Sequence, residues 1–150
     1  MTIQEASFFL GNLAVKATNK SEIKIYEKFL HILSKLKERT FSEEEIKLIE
    51  NKLDDLKLDS NPKNPKKYFK QALTEFEKYL KETFSLTPKG YYTNRYMGLG
   101  LSFGILFGIA ILSNLEHSLG ISLGLIGGMF VGSIMGKQKD TQAKEAGNVF

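Results

Sequence analysis

The stretch Gly98-Leu99-Gly100-Leu101-Ser102-Phe103-Gly104-Ile105-Leu106-Phe107-Gly108 decides how this chain is read. Glycine recurs at every fourth position from Gly100 to Gly108, with Gly98 as an extra, and large apolar side chains fill the gaps. A second run repeats the interval at Gly120, Gly124, Gly128, Gly132 and Gly136, with Gly127 added. Residues four apart share one face of a helix, so each segment carries a smooth stripe. In water each such glycine costs a helix about 1 kcal/mol relative to alanine. In lipid, apolar surface gives helices little reason to associate; close backbone approach matters more, and glycine permits it.

The charge distribution points to the same place. Overall the chain is 42% hydrophobic with a net charge of +4, but those averages hide a division. Residues 1–96 hold 18 Lys/Arg and 14 Asp/Glu, whereas residues 97–136 hold one charge, Glu116, and 10 of the 13 glycines. Tyr96 to Leu115 is 20 residues without a charge, and Ser118 to Gly136 is another 19. At a rise of about 1.5 Å per residue, either crosses a hydrocarbon core of about 30 Å. Only Glu116 and His117, within Ser113-Asn114-Leu115-Glu116-His117-Ser118, separate them. So short a polar link predicts two antiparallel spanning helices and a tight turn. The split composition excludes a uniform globular domain and a disordered chain. The absence of cysteine excludes a disulfide scaffold, thiol catalysis and cysteine-ligated metal.

With its glycine runs and the basic close Gly136-Lys137-Gln138-Lys139, the C-terminal part resembles the glycine-zipper membrane hairpins of small bacterial inner-membrane proteins. The resemblance covers roughly the last 60 residues. It implies a tightly packed, membrane-embedded hairpin, sometimes oligomeric, and brings no catalytic residues with it.

Lys89 and Arg95 precede the first expected span, Lys137, Lys139 and Lys144 follow the second, and the turn carries no Lys or Arg. The positive-inside rule then predicts both ends in the cytoplasm and a translocated turn. Tyr91, Tyr92 and Tyr96 fall at the expected inner interface, where a ring with a polar tip is favoured. Met1–Val15 has an early Glu5, no basic start and too short an apolar run for a secretion signal, so targeting is expected to fall to the hairpin. In a bacterium that means the inner membrane; in a eukaryote, an organelle or endoplasmic reticulum membrane with both ends cytosolic.

Residues 1–86 read as a small soluble bundle of about four helices, which makes the expected fold all-α. Ile3–Lys16 places Ala6, Phe9, Leu10 and Leu13 on one face. Ser21–Arg39, with Ser21 as its N-cap, carries Tyr26, Phe29, Leu30, Leu33 and Leu36. Ser42 and Glu45 form a capping-box pattern for Glu43–Leu56, whose stripe is Ile46, Ile49, Leu53 and Leu56. Pro65 opens a fourth helix to Phe84, with Phe69, Leu73, Phe76 and Leu80 inward. The remaining expected segments are a hinge and interface region at 87–95, the hairpin at 96–136, and a polar, frayed or disordered tail at 137–150.

The soluble region offers little chemistry. His31 flanks an apolar stripe and reads as a surface residue, while His117 beside Glu116 reads as part of the turn, with a pH-sensing pair as the sharper reading. Two isolated histidines give no metal-ligand spacing. Glu43-Glu44-Glu45 is explained by the dipole at a helix start, and Asp54, Asp55 and Asp59 lack calcium-loop spacing. Lys66, Lys67 and Lys70 form a basic cluster with Lys63, a candidate lipid head-group contact together with Arg95, Lys137 and Lys139, or else a solvated face. A net charge of only +4 and no recognition motif argue against nucleic acid. No glycine loop precedes a Lys-Ser/Thr pair, and no nucleophile has a base.

The expected protein is therefore non-enzymatic and without a cofactor: a cytoplasmic helical domain anchored in a bilayer and self-associated through Gly100, Gly104, Gly108, Gly120, Gly124, Gly128, Gly132 and Gly136. An unidentified protein partner of the helical domain is a further expectation. The alternative is an oligomeric pore or membrane-permeabilising protein. Against it, Ser102, Ser113, Ser122 and Ser133 are the only hydroxyls in the spans apart from Tyr96 and Ser118 at their first positions, and the spans contain no charge.

Overall fold

The computed structural model describes residues 1–111 and 117–150. Among them are six helices and no strand: α1 (Ile3–Lys16), α2 (Lys20–Lys37), α3 (Glu43–Asp55), α4 (Pro65–Phe84), α5 (Tyr91–Ile111) and α6 (His117–Glu145). The chain divides into two compact units, Met1–Leu86 with Phe150, and Thr87–Val149.

In the first unit the helix starts follow from side-chain capping. Thr2 with Glu5, and Ser42 with Glu45, form complete capping boxes at α1 and α3. Asn64 caps α4 by accepting from the Lys67 amide, and Pro65 fills its first position. The expected cap of α2, Ser21, is displaced. Asn19 is the cap, because its side-chain oxygen accepts from the Ser21 amide and draws the helix start back to Lys20.

The four helices close on one core. Ala6 and Leu10 of α1, Tyr26, Phe29, Ile32, Leu33 and Leu36 of α2, Ile49 and Leu53 of α3, and Phe69, Leu73, Phe76 and Leu80 of α4 are all buried. Phe29 meets Phe76 at 5.3 Å between ring centroids, and Tyr26 meets Phe69 edge-on at 5.1 Å. Of the expected stripe residues, Ile46 is exposed and Leu30 only half-buried, while Ile32 takes an inward place. Lys57 has φ of 46°, and the turn it makes drives Leu58 fully into the core. Tyr68 secures that turn by donating from its hydroxyl to the carbonyls of Leu56 and Lys57, both at 2.8 Å.

In the second unit α5 and α6 pack against each other along their length. Within the expected hinge at 87–95, helix already begins at Tyr91; Gly90, with φ of +76°, makes the turn into it. The polar stretch after Lys139 is helical as far as Glu145, and Gly147 at φ of +70° ends it. Among the described residues one helix is long and apolar enough to cross a membrane, Ser118–Glu145, with a mean hydropathy of 1.8 in its apolar window. The expected first span, Tyr96–Leu115, is described only to Ile111, and over that length α5 does not reach the same measure. The expected turn from Ser113 to Glu116 lies outside the described residues.

Candidate helix-packing site

The four-residue interval sets the register of the α5–α6 contact. Gly100 faces Gly128 and Gly132, Gly104 faces Gly124 and Gly128, and Gly108 faces Gly120 and Gly124. A Cβ placed on Gly104 would collide with the Gly124 carbonyl and stand 3.1 Å from the Gly128 Cα. A Cβ on Gly128 would collide in the same way with the Gly100 carbonyl. Ahead of the first glycine of α5, Gly132 lies against the backbone of Tyr96 and Met97, and Gly136 against that of Thr93 and Tyr92. The obstructing atoms are backbone atoms, which have no rotamer to give way. Even alanine at these positions forces the helices apart. All eight expected packing glycines take part in this face. The two extras do not: a Cβ on Gly98 or Gly127 would meet nothing within 4 Å.

Continuing the interval one step past Gly136 reaches Asp140, which sequence reasoning passed over. Its carboxylate accepts from the amides of Tyr92 and Thr93, both at 2.9 Å, and from the Thr93 hydroxyl at 2.6 Å. These amides belong to the first turn of α5, where helix donors have no partner of their own. Asp140 thus caps α5 from the neighbouring helix. Partial burial pushes its carboxyl upward, but the hydrogen bonds from Thr93 and Tyr92 outweigh that and hold it below the ordinary carboxylate range. The signal was in the sequence: Asp140 stands four residues after Gly136, just beyond the uncharged stretch.

The ends of this unit are tied as well. The Thr87 amide donates to the Asn148 carbonyl at 2.9 Å, and Thr87 bridges Val149 in parallel. Outside the packing face the large side chains point away. Leu106, Phe107, Ile126 and Phe130 are each 59–68% exposed. Gly127 lines an open apolar groove of about 470 Å³ with Leu99, Phe103, Phe107, Val131 and Met135.

The expected basic contacts are all exposed. Lys66, Lys67 and Lys70 lie in the first unit, and Arg95, Lys137 and Lys139 in the second. Of these, Lys137 comes together with Lys89 and Lys144 around one recess, which Arg95 and Lys139 do not line. His31 is exposed on α2. Comparison with protein-family models, curated proteins and solved structures finds no match to this chain.

Proposed function

We propose that this protein is a non-enzymatic integral membrane protein. The α5–α6 hairpin crosses the bilayer twice as a glycine zipper and anchors the α1–α4 bundle, with both termini on the cytoplasmic side. The observation that carries this reading is the inversion of α6. It is long and apolar enough to span, yet only 17% of its apolar window is buried. Exposed apolar surface on that scale marks contact with lipid or another protein, not with water. The outward positions of Phe103, Phe107, Ile126 and Phe130 on both helices support two spans over one.

Self-association follows from the second set of small residues. Gly127 is not used within the hairpin and opens an apolar groove, which a second copy of the hairpin fits by the same close approach. An anchor is favoured over a pore because the hydroxyls of Ser102 and Ser122 donate to carbonyls of their own helices, Gly98 at 3.2 Å and Ser118 at 2.8 Å. They offer no polar path.

The chain has no cysteine, so single introduced cysteines report cleanly. A cysteine at Ser118 is expected to react with an impermeant maleimide on intact cells, and one at Lys139 only after lysis. Reaction of both on intact cells, or of neither, defeats the topology. Release of trapped dye from liposomes carrying the protein would replace the anchor by the pore.

A further inference from the structure

Where the uncharged stretch of the hairpin ends, Lys89, Lys137 and Lys144 surround an open recess of about 540 Å³ that Thr93, Thr141 and Asp140 also line. We propose that this recess binds the phosphate of an anionic phospholipid headgroup. The proposal rests on the membrane reading above, because it is the bilayer that presents such a phosphate at this level.

The charge arithmetic favours an anion. Three ammonium groups and one carboxylate leave the recess at +2, that is, three minus one. The carboxylate is already engaged, since the oxygens of Asp140 accept the Tyr92 and Thr93 amides and the Thr93 hydroxyl. None of the three lysines forms an ion pair with a carboxylate among the described residues. All three are exposed. Lysine ammonium groups are compact donors suited to phosphate oxygens. Their mutual repulsion around one recess falls when an anion occupies it.

Position decides for a lipid as occupant over a free ion. Lys137 directly follows Gly136, the last residue of the uncharged stretch. Headgroup phosphates lie at that depth, where basic recesses between membrane helices collect them. The lysines arrive from both arms of the hairpin, Lys89 ahead of α5 and Lys137 and Lys144 on α6, so the recess exists only when the helices are packed. Asp140 holds that end closed, and thereby holds the lysines in place.

The test uses the full chain in a neutral detergent, titrated with phosphatidylglycerol or phosphatidylcholine, and native mass spectrometry to count retained lipid. The intact chain should retain phosphatidylglycerol at about thirtyfold lower concentration, the size expected for two net charges at a lipid surface. The triple variant K89Q/K137Q/K144Q should lose that preference, while K20Q/K24Q/K47Q, which removes equal charge from exposed positions of the first unit, should keep it. Equal retention of the two lipids by the intact chain, or equal loss in both triple variants, overturns the recess. In a further arm, inorganic phosphate displacing phosphatidylglycerol at equal concentration would overturn the lipid as its occupant. Flotation with pure phosphatidylcholine vesicles reads the membrane assignment separately. A chain that floats but shows no preference loses only the recess, and one that does not float loses both.

Discussion

The two units of this chain achieve packing by opposite means. In Met1–Leu86 bulk meets bulk: Phe29, Phe76, Leu10, Ile32, Leu33 and Leu80 are fully buried, and the polar residues face outward. In Thr87–Val149 bulk is removed from the contact, so that carbonyls of one helix lie against glycine α-carbons of the other. The bundle follows the logic of water, where each Å² of apolar surface withdrawn is worth about 25 cal/mol. The hairpin sends its largest side chains outward and would forgo that gain in water. On the proposed membrane reading its packing answers to a different solvent, one in which backbone proximity, and not apolar burial, distinguishes the packed state.

Adding atoms should therefore break the hairpin, and removing them should break the bundle. The largest effect is expected from Gly104→Ile, whose side chain has only backbone to displace. It should cost the hairpin more than about 3 kcal/mol, read as a shifted midpoint in an SDS titration of the protein in mild detergent, with Leu123→Ile as an unaffected control. Phe76→Ala should cost the bundle about 3–5 kcal/mol in urea denaturation followed by circular dichroism. If Gly104→Ile were harmless, the contrast between the units would collapse.

Smaller effects sharpen the contrast. Asp140→Ala leaves the Tyr92 and Thr93 donors unpartnered and should cost the hairpin about 1–3 kcal/mol in the same SDS titration. The native carboxyl is held below its ordinary value of about 3.9, so its contribution is present above that pH and disappears as pH falls through the lower folded value. Thermal melts in detergent should thus show an acid-side loss of stability that is reduced in Asp140→Asn. The smallest change is expected from Gly127→Ala, within about 0.5 kcal/mol for the hairpin, because nothing lies near its Cβ. Gly127→Leu should instead lower the oligomeric state in mild detergent while leaving hairpin stability near that of the intact chain.

Much of this was legible from periodicity. The bounds of α1 and α4 are those expected from apolar spacing and, for α4, from Pro65 at its first turn, and the expected Ser42–Glu45 box caps α3. The four-residue glycine interval carries the register of α5 against α6, because an interval of four keeps a single helical face. What escaped is partly local conformation and cap competition, and partly partners distant in sequence. Leu58 is buried by a left-handed turn at Lys57 that no local pattern announces, and Asn19 competes with Ser21 for the same cap. Asp140 reads as one more polar residue of a tail until the amides of Tyr92 and Thr93, 48 and 47 positions away, are seen to need an acceptor. The recess at Lys89, Lys137 and Lys144 escaped for the same reason, since its members are adjacent only once the helices have met.

That α5 and α6 dissolve in lipid is the claim on which the rest depends. Alkaline carbonate extraction of membranes from cells producing the full chain tests it most directly. The protein is expected to remain wholly in the pelleted bilayer. Its release into the supernatant, monodisperse without detergent, would contradict the account.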